Sequence, residues 1–318
     1  MTSRATDLEV LTIGRVGVDL YPLQAGPLAQ VSTFQKFLGG TATNVAVGAA
    51  RLGRRSAVLT KVGPDPLGGY VREALEACGV DSSWVGTAEH LLTPVVLCEL
   101  DPPEDPTLLF YRLPTAPDLT LVDADVPWDL VREVPLLWVT GTGVSVEPAR
   151  STQHEILSRR GRRAHTVLDL DWRPMFWTSA EEARAEYVRM LPHVTVVVGN
   201  RAEVEVAVGT SDPAVAAERL LAEGVELAVV KQGAEGVLVA TADGVQTVPP
   251  QPVAVVNGLG AGDAFGAALV HGLLSGWEPG RIATYANAAG AIVASRLGCA
   301  DAMPTWEELE QMVSRGSV

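Results

Sequence analysis

Short apolar segments alternate with helical segments along most of this chain, and this alternation constrains its fold more than any other feature. Strand-like runs rich in β-branched residues occupy 8–13, 56–62, 136–140, 166–170, 195–198 and 227–231. Helical patterns fall between them at 42–52, 66–78, 148–160, 180–190 and 213–223. Strands that are apolar on both faces are typical of parallel sheets covered by helices on both sides. The pattern therefore predicts a three-layer α/β/α protein with a doubly wound, Rossmann-like sheet.

Two segments interrupt the alternation. Residues 16–37 and 93–113 show strand patterns broken by polar residues or proline, with no helix of their own. Because ligands of open α/β sheets bind beyond the carboxyl ends of the strands, we expect these segments to form a small β lid over that edge. A pair of ordinary hairpin insertions is the alternative. No linker divides the chain, so residues 1–318 are expected to form a single domain.

A glycine-rich turn, residues 257–263 (Asn-Gly-Leu-Gly-Ala-Gly-Asp), leads from a strand-like run at 253–256 into a predicted helix. The first N–H groups of a helix lack partners, and together with the helix dipole they bind anions. Asp263 is unfavourable beside an anion unless it has a chemical task, such as taking the proton of a hydroxyl that attacks a phosphoryl group. The turn favours phosphoryl transfer to an alcohol, although a plain tight connection is equally compatible with this segment alone.

Several functional classes are excluded by what the sequence lacks. There is no Gly-x-x-x-x-Gly-Lys-Ser/Thr phosphate loop, and a dinucleotide fingerprint fails because Phe265 stands at its third glycine. The formal net charge of −14 and the absence of dense Lys/Arg runs argue against nucleic acid as a partner; residues 159–163 are expected to be an exposed basic helix end. Three scattered cysteines, and no signal or membrane-spanning pattern, predict a soluble protein of the reducing cytoplasm that does not bind a membrane.

Candidate substrate contacts lie near the N-terminus. Gly39 and Gly40 precede a helix and would let the backbone approach a small ligand, while Asn44 could hydrogen-bond sugar hydroxyls. Asp19 follows a strand-like run, and its carboxylate could accept hydrogen bonds from a sugar diol. A turn with a threonine N-cap and a solvated aspartate are the plain structural alternatives.

Charged residues also close the predicted strand at 166–170. Residues two apart share a strand face, so Asp169 and Asp171, with Arg173 beyond them, are predicted to point into one cleft. Charges at the carboxyl end of a central strand favour a binding site over plain surface.

A second group of candidates follows the later strands. Asn200 and Glu203 have the spacing of a helix capping box, and they could equally serve a water-mediated magnesium site. Lys231, followed by Gly233 and Gly236, ends a strand where the backbone could approach a nucleotide; a β-hairpin into 237–239 explains the glycines equally well. Asn287 lies on a closely packed helix, where a satisfied amide is the default.

In this order, the motifs resemble those of the ribokinase (PfkB-type) sugar kinase family over essentially the whole chain. The family's Gly-Gly signature corresponds to Gly39 and Gly40 with Asn44, and its Asn-x-x-Glu motif to Asn200 and Glu203. Its Gly-Ala-Gly-Asp signature corresponds to the residues Gly260, Ala261, Gly262 and Asp263. The resemblance implies a ribokinase-like fold with a small β lid, ATP and Mg²⁺ as cofactors, and Asp263 as the catalytic base. It also implies that the N–H groups of 260–262 hold the anion.

Within the family, 14–21, 110–112, 169–174, 286–300 and 303–309 are most similar to the 5-dehydro-2-deoxygluconokinases of inositol catabolism. That similarity implies phosphorylation of 5-dehydro-2-deoxy-D-gluconate to the 6-phosphate. The planar guanidinium groups of Arg15, Arg112 and Arg173 could then pair with the substrate carboxylate. Kinases of 2-keto-3-deoxygluconate, fructose or ribose are the alternatives. A catalytically silent sugar-binding regulator is a further alternative, against which the retained Asp263 argues.

The chain departs from the family pattern just before the Gly-Ala-Gly-Asp signature. Many members carry Asp-Thr-Thr there, whereas this chain has Asn257-Gly258-Leu259. Losing a carboxylate and two hydroxyls puts activation by a monovalent cation in doubt. The family resemblance also makes a homodimer through the lid strands an open possibility.

Overall fold

The computed structural model describes residues 7–104, 106–163 and 165–315. The ends of the predicted domain, at 1–6 and 316–318, and position 105 of the second lid segment lie outside these ranges. The strands are, in chain order, β1 (Val10–Ile13), β2 (Gly17–Pro22), β3 (Phe34–Gly39), β4 (Ser56–Val62), β5 (Val85–Thr87), β6 (Val95–Glu99), β7 (Thr107–Tyr111), β8 (Leu136–Thr140), β9 (His165–Asp169), β10 (Val196–Asn200), β11 (Leu227–Lys231), β12 (Val237–Thr241) and β13 (Gly244–Val248). The helices are α1 (Thr41–Arg51), α2 (Pro66–Ala77), α3 (Trp128–Glu133), α4 (Ala149–Arg160), α5 (Ala180–Met190), α6 (Arg201–Val208), α7 (Pro213–Ala222), α8 (Ala261–Leu274), α9 (Pro279–Ala294) and α10 (Trp306–Arg315).

A nine-stranded large sheet forms the middle layer, in the order β13-β12-β11-β10-β9-β8-β1-β4-β5. The six strands predicted from sequence are its contiguous parallel centre, from β11 to β4. β12 and β13 extend one edge in antiparallel fashion, which includes the hairpin anticipated after β11. Every residue of β4 and β8 is buried, as expected of strands covered on both faces. The predicted three-layer α/β/α fold is therefore confirmed.

Two separate cores cover the faces of the large sheet. One is built with α1, α2, α8, α9 and α10, and the other with α3 to α7. Small residues let α1 and α8 approach each other and the sheet closely. A Cβ on Gly48 of α1 would lie 2.4 Å from the Cβ of Ala267 on α8, and a Cβ on Gly266 would lie 2.7 Å from the Trp138 ring on β8. This packing fixes the N-terminal ends of α1 and α8 side by side.

A second, small sheet contains four strands in the order β3-β2-β6-β7, and we refer to it as the small sheet. β2 pairs with β3 in antiparallel fashion and with β6 in parallel fashion, and β6 pairs with β7 in antiparallel fashion. The segments predicted as a lid, 16–37 and 93–113, supply its strands, except that β3 continues to Gly39. The alternating burial along β7 shows that this edge strand has one covered and one open face.

Two local expectations were wrong. The apolar run at 253–256 is not a strand, because the N–H groups of Val256 and Asn257 both donate to the carbonyl of Ala294 at the end of α9. Arg160 is not part of an exposed basic patch: it is 2% exposed, and its guanidinium donates to the carbonyls of Val131 and Val134. Local composition could not reveal either partner, since both are distant in sequence.

Among the described residues, no helix combines the length and the apolar character that crossing a membrane requires.

Candidate active site

A cavity lies between the small sheet and the ends of α1 and α8. The residues that line it are Arg15, Val16, Gly17, Asp19, Tyr21, Gly40, Thr41, Asn44, Pro94, Val96, Leu108, Phe110, Arg112, Arg173, Leu259, Gly260, Asp263 and Cys299. Eight of the predicted substrate-binding and catalytic residues are in this set. The other four, Gly39, Asp171, Ala261 and Gly262, lie close by without lining it. Motifs separated by more than two hundred residues in the chain therefore converge on one chamber.

The start of α8 forms one wall of this cavity. Gly260 precedes the helix with φ of 79°, a left-handed conformation that favours glycine, and a Cβ there would lie 2.7 Å from the Cys299 sulfur. The N–H groups of Ala261 and Gly262 lie in the first turn, and among the described residues they donate to no protein acceptor. This arrangement has the donors and the dipole direction of an anion site.

The turn that leads into α8 is held by Asn257. Its side chain is fully buried, and its Oδ1 accepts a hydrogen bond from the N–H of Leu259 at 3.0 Å. The N–H of Gly258 in turn donates to the carbonyl of Pro103 at 2.8 Å, which ties this turn to the β6–β7 connection.

Asp263 lies in the first turn of α8 and faces the start of α1. Its Oδ2 accepts a hydrogen bond from Asn44 Nδ2 at 2.7 Å. Burial raises the pKa of the Asp263 carboxyl to about 6, and the Asn44 hydrogen bond opposes this rise because it favours the charged form. A carboxylate with such a pKa is suited to accept a proton near neutral pH.

Asp19 on β2 is a second buried carboxylate of the cavity. Burial raises its pKa to about 7, while the nearby positive charge of Arg15 opposes that rise. A Cβ on Gly39 would lie 2.2 Å from the Asp19 carboxylate, so only glycine fits on β3 beneath it. Gly39 thus acts by making room for Asp19.

Asp171 organises two arginines on the opposite wall. It accepts hydrogen bonds from Arg15 Nη2 at 2.7 and 2.9 Å, from Arg173 Nε at 3.1 Å and from the Thr142 hydroxyl at 2.8 Å. Burial alone would raise the Asp171 pKa, but the two guanidinium groups hold it below its usual value. Asp171 has φ of +33° and lies beyond the end of β9, behind the arginines. It holds them in place and does not itself face the cavity.

Arg112, at the end of β7, is held in a similar way. Its Nη2 donates to both carboxylate oxygens of Asp118, at 2.8 and 3.1 Å, and both side chains are buried. Among the described residues, Nη1 of Arg112, of Arg15 and of Arg173 makes no hydrogen bond. The three cavity arginines therefore keep donors available for a ligand.

Asn200 and Glu203 form the capping box that their spacing predicts. Asn200 Oδ1 accepts from the Glu203 N–H at 2.9 Å, and Glu203 Oε2 accepts from the Asn200 N–H at 2.6 Å. The pair starts α6 directly after β10 and does not line the cavity. In the described part of the chain, no three His, Cys, Asp or Glu side chains are grouped so as to hold a metal ion by themselves.

The predicted nucleotide-side residues lie outside the cavity lining as well. Lys231 ends β11 beside Asn200, its partner in register on β10. Gly233 has φ of +60° and open space around it, whereas a Cβ on Gly236 would lie 2.1 Å from the carbonyl oxygen of Val248. Asn287 on α9 donates to the carbonyl of Pro249 at 2.8 Å. Gly236 thus allows the close approach of the Val248 carbonyl at the end of β13, and Asn287 fixes the backbone just after that strand. Gly233 has free space beside it.

Ten of the eighteen cavity residues were not predicted as site residues, among them Tyr21, Cys299 and Phe110. Tyr21 lies two positions after Asp19 on β2, and this spacing could have identified it, since residues two apart share a strand face. Cys299 accepts from or donates to the Tyr21 hydroxyl at 2.9 Å, but it follows α9 with no local pattern to mark it. Phe110 lines the cavity next to Phe176, with ring centroids 5.0 Å apart.

Comparison with known proteins identifies the family of this chain. The model of the pfkB family carbohydrate kinases matches residues 7–306. A 5-dehydro-2-deoxygluconokinase of Geobacillus thermodenitrificans (strain NG80-2) is 32% identical over 314 residues, which cover 96% of this chain and 93% of that relative.

Solved structures agree with this match. An uncharacterized sugar kinase from Pyrococcus horikoshii in complex with ATP superposes with a TM-score of 0.80 at 26% identity, covering 95% of this chain and 99% of that one. A putative ribokinase II from E. coli in complex with ATP and Mg²⁺ shares the fold, with a TM-score of 0.87 at 22% identity over 97% of this chain and 99% of that one. The family match spans nearly the whole described chain, and this chain belongs to the pfkB family of carbohydrate kinases.

Proposed function

We propose that this ATP-dependent carbohydrate kinase acts on a sugar acid, 5-dehydro-2-deoxy-D-gluconate, and transfers the γ-phosphoryl group to its primary hydroxyl at C6. The observation that carries the substrate class is the set of three cavity arginines, Arg15, Arg112 and Arg173, each with an unused Nη1. Each arginine already pairs with Asp171 or Asp118, yet its Nη1 has no partner among the described residues. A substrate carboxylate would accept paired hydrogen bonds from these donors. Relatives named 5-dehydro-2-deoxygluconokinase support the specific sugar acid.

Asp263 is the proposed general base. The hydroxyl proton passes to its carboxylate while the hydroxyl oxygen attacks the γ-phosphorus in line and ADP leaves. Asn44 orients the carboxylate through its hydrogen bond. The N–H groups that follow Gly260, those of Ala261 and Gly262, stabilise charge on the transferring group. Asp19 and Asn44 are proposed to hold the sugar hydroxyls in the space that Gly39 and Gly40 leave open.

The residues after β10 and β11 are proposed to serve the nucleotide. Asn200 and Glu203 carry the oxygen donors that Mg²⁺ prefers, and they fit a magnesium ion held through water beside the ATP phosphates. When bound, Mg²⁺ neutralises phosphate charge. Gly233 and Gly236, with Lys231 and Asn287, border the surface on which the nucleotide would lie. The small sheet is proposed to close over the sugar and exclude water.

A coupled ADP-release assay tests the substrate. We expect kcat/KM for 5-dehydro-2-deoxygluconate and 2-keto-3-deoxygluconate to exceed that for fructose and ribose by at least about tenfold, because neutral sugars leave the arginine donors unpaired. Arg173→Gln should raise KM for the sugar acids and change KM for neutral sugars much less. Arg189→Gln, which removes an exposed arginine, is the matched control. Preference for neutral sugars would refute the arginine argument.

Asp263→Asn tests the chemistry in the same assay. Turnover should fall to background while ATP binding, measured by calorimetry, stays within about threefold of the unmodified protein. Near-normal turnover of this variant would rule out Asp263 as the base.

We also propose that two copies pair through β7. This edge strand exposes Leu109 and Tyr111, which are 44% and 63% exposed, and Leu113 directly after it is 92% exposed. An apolar, unpaired strand edge is a template for a second strand.

A further inference from the structure

Lys231 is a cationic side chain whose surroundings leave it without a protein partner. The chain has three lysines. Lys61 pairs with Asp125 at 2.6 Å, and Lys36 packs over the Tyr70 ring at 3.6 Å. Within the described ranges, the Lys231 ammonium makes no hydrogen bond and has no carboxylate oxygen within 4.0 Å. Enclosing a charge without a partner costs free energy, unless a bound ligand of opposite charge pairs with it.

The position of this ammonium points to what that ligand is. A Cβ placed on Gly262 would lie 3.3 Å from Lys231 Nζ, so the ammonium lies against the first turn of α8. The free N–H groups of Ala261 and Gly262 are in the same turn. Two kinds of donor, backbone amides and an ammonium, thus converge on one small space from two different elements. Such a combination is suited to a phosphoryl group.

Lys231 is also held in its charged form. Burial alone would lower the pKa of the ammonium, but the surrounding carboxylates, with Glu203 and Asp169 the strongest and Asp263 next, raise it above its ordinary value. None of them is close enough to form an ion pair. The carboxylates keep the ammonium positive without using its hydrogen atoms, which stay available for an anion.

We propose that Lys231 is a catalytic residue that contacts the γ-phosphoryl group during its transfer; this inference rests on the kinase reaction proposed above. The sugar oxygen forms a bond to the γ-phosphorus, and the bond from that phosphorus to the β–γ bridging oxygen breaks. ADP leaves with the electron pair, and the hydroxyl proton goes to Asp263. Lys231 stays protonated throughout and stabilises the negative charge on the oxygens of the transferring group.

The test compares Lys231→Met and Lys231→Arg with the control Lys36→Met, which removes the same charge from an exposed position on β3. We expect Lys231→Met to lower kcat by about 100-fold or more, in the range seen when one donor to a transition-state anion is removed. Lys231→Arg should recover at least about a tenth of kcat, and Lys36→Met should retain full turnover. Since the contact is to the γ-phosphoryl group, Lys231→Met should weaken binding of a non-hydrolysable ATP analogue about tenfold and that of ADP less than about threefold.

A kcat for Lys231→Met within about threefold of the unmodified enzyme would overturn the inference, and so would equal losses of affinity for the ATP analogue and for ADP. If Lys231→Met does not fold, as judged by circular dichroism, Lys231→Gln is held to the same two criteria. Failure of the proposed function has a different signature, since the unmodified protein would then phosphorylate no sugar acid. An active unmodified enzyme with a fully active Lys231→Met variant would refute the lysine alone.

Discussion

At the scale of single residues, the cavity gives two buried carboxylates different pKa values through their surroundings. Asp263 has a hydrogen-bond donor in Asn44, and burial raises its pKa to about 6. Asp19 has no such donor among the described residues, and burial raises its pKa to about 7. The carboxyl group that a donor stabilises is ionised over a wider pH range, which favours Asp263 over Asp19 as the base.

The Asn44 hydrogen bond makes a testable prediction about pH. The proposed base must be ionised, so kcat/KM of the unmodified enzyme should be constant above the Asp263 pKa and fall as the pH drops through about 6. Asn44→Ala removes a donor to the charged form and should raise that pKa. The acidic limb of kcat/KM should then shift to higher pH by about one unit, measured between pH 5 and 9. A limb that stays in place or moves to lower pH would contradict this assignment.

The sequence predicted these residues unevenly, for a physical reason. The turn before Asp263 was recognisable because its glycines and its helix start are adjacent in the chain. The pairing of Arg15 with Asp171 spans 156 residues, and no local pattern encodes it. Sequence reasoning could predict arginines suited to a carboxylate but could not show that Asp171 and Asp118 already hold all three of them.

At the scale of secondary-structure elements, a side chain at the end of α4 caps the C-terminal end of the neighbouring helix α3. The Arg160 guanidinium donates hydrogen bonds to the carbonyls of Val131 and Val134 at the end of α3. Its Nε donates to the Thr166 hydroxyl on β9. The last carbonyls of a helix have no partners within it, so this arginine acts as a cap from outside.

Arg160→Met should therefore lower the free energy of unfolding by about 3 kcal/mol, because it leaves several buried acceptors unpaired. Chemical denaturation measures the change. Arg159→Met is the control: that residue is about half exposed, and its ion pairs with Glu155 and Asp123 are worth about 1 kcal/mol or less. Equal effects of the two substitutions would show that burial of Arg160 contributes nothing. The KM for the sugar acid should be unchanged in both variants, since neither residue lines the cavity.

The elements themselves were predicted well, because their periodicity is strong. All six predicted strands are present with ends shifted by two residues or fewer, and the α5 bounds match those expected. The run at 253–256 is also rich in valine but forms no strand, and the N–H of Val256 donates to the carbonyl of Ala294 at the end of α9. Composition indicates that a segment is able to form a strand, but whether it pairs with another strand depends on which elements pack beside it.

At the scale of the whole molecule, the two sheets offer different edges to a partner. One edge of the small sheet, β7, exposes Leu109 and Tyr111, and one edge of the large sheet, β13, carries Val245, which is 61% exposed.

If two copies pair through β7, light scattering at micromolar concentration should give twice the chain mass of 33.5 kDa. Replacing Leu109 and Tyr111 together by lysine should return the mass to that of one chain, because the charges oppose strand pairing. Val245→Lys places a lysine on an edge of the large sheet and should leave the mass unchanged. A monomeric unmodified protein would refute pairing through β7.

The hydrogen bond between Asn44 and Asp263 joins residues 219 positions apart. During synthesis on the ribosome, Arg15, Asp19 and Asn44, which are proposed to bind the substrate, emerge early, whereas the proposed base arrives only with α8. A truncated chain that ends before residue 261 carries the arginines and Asp19 but lacks Asp263, the proposed base. We therefore expect nascent or prematurely terminated copies to transfer no phosphoryl group from ATP.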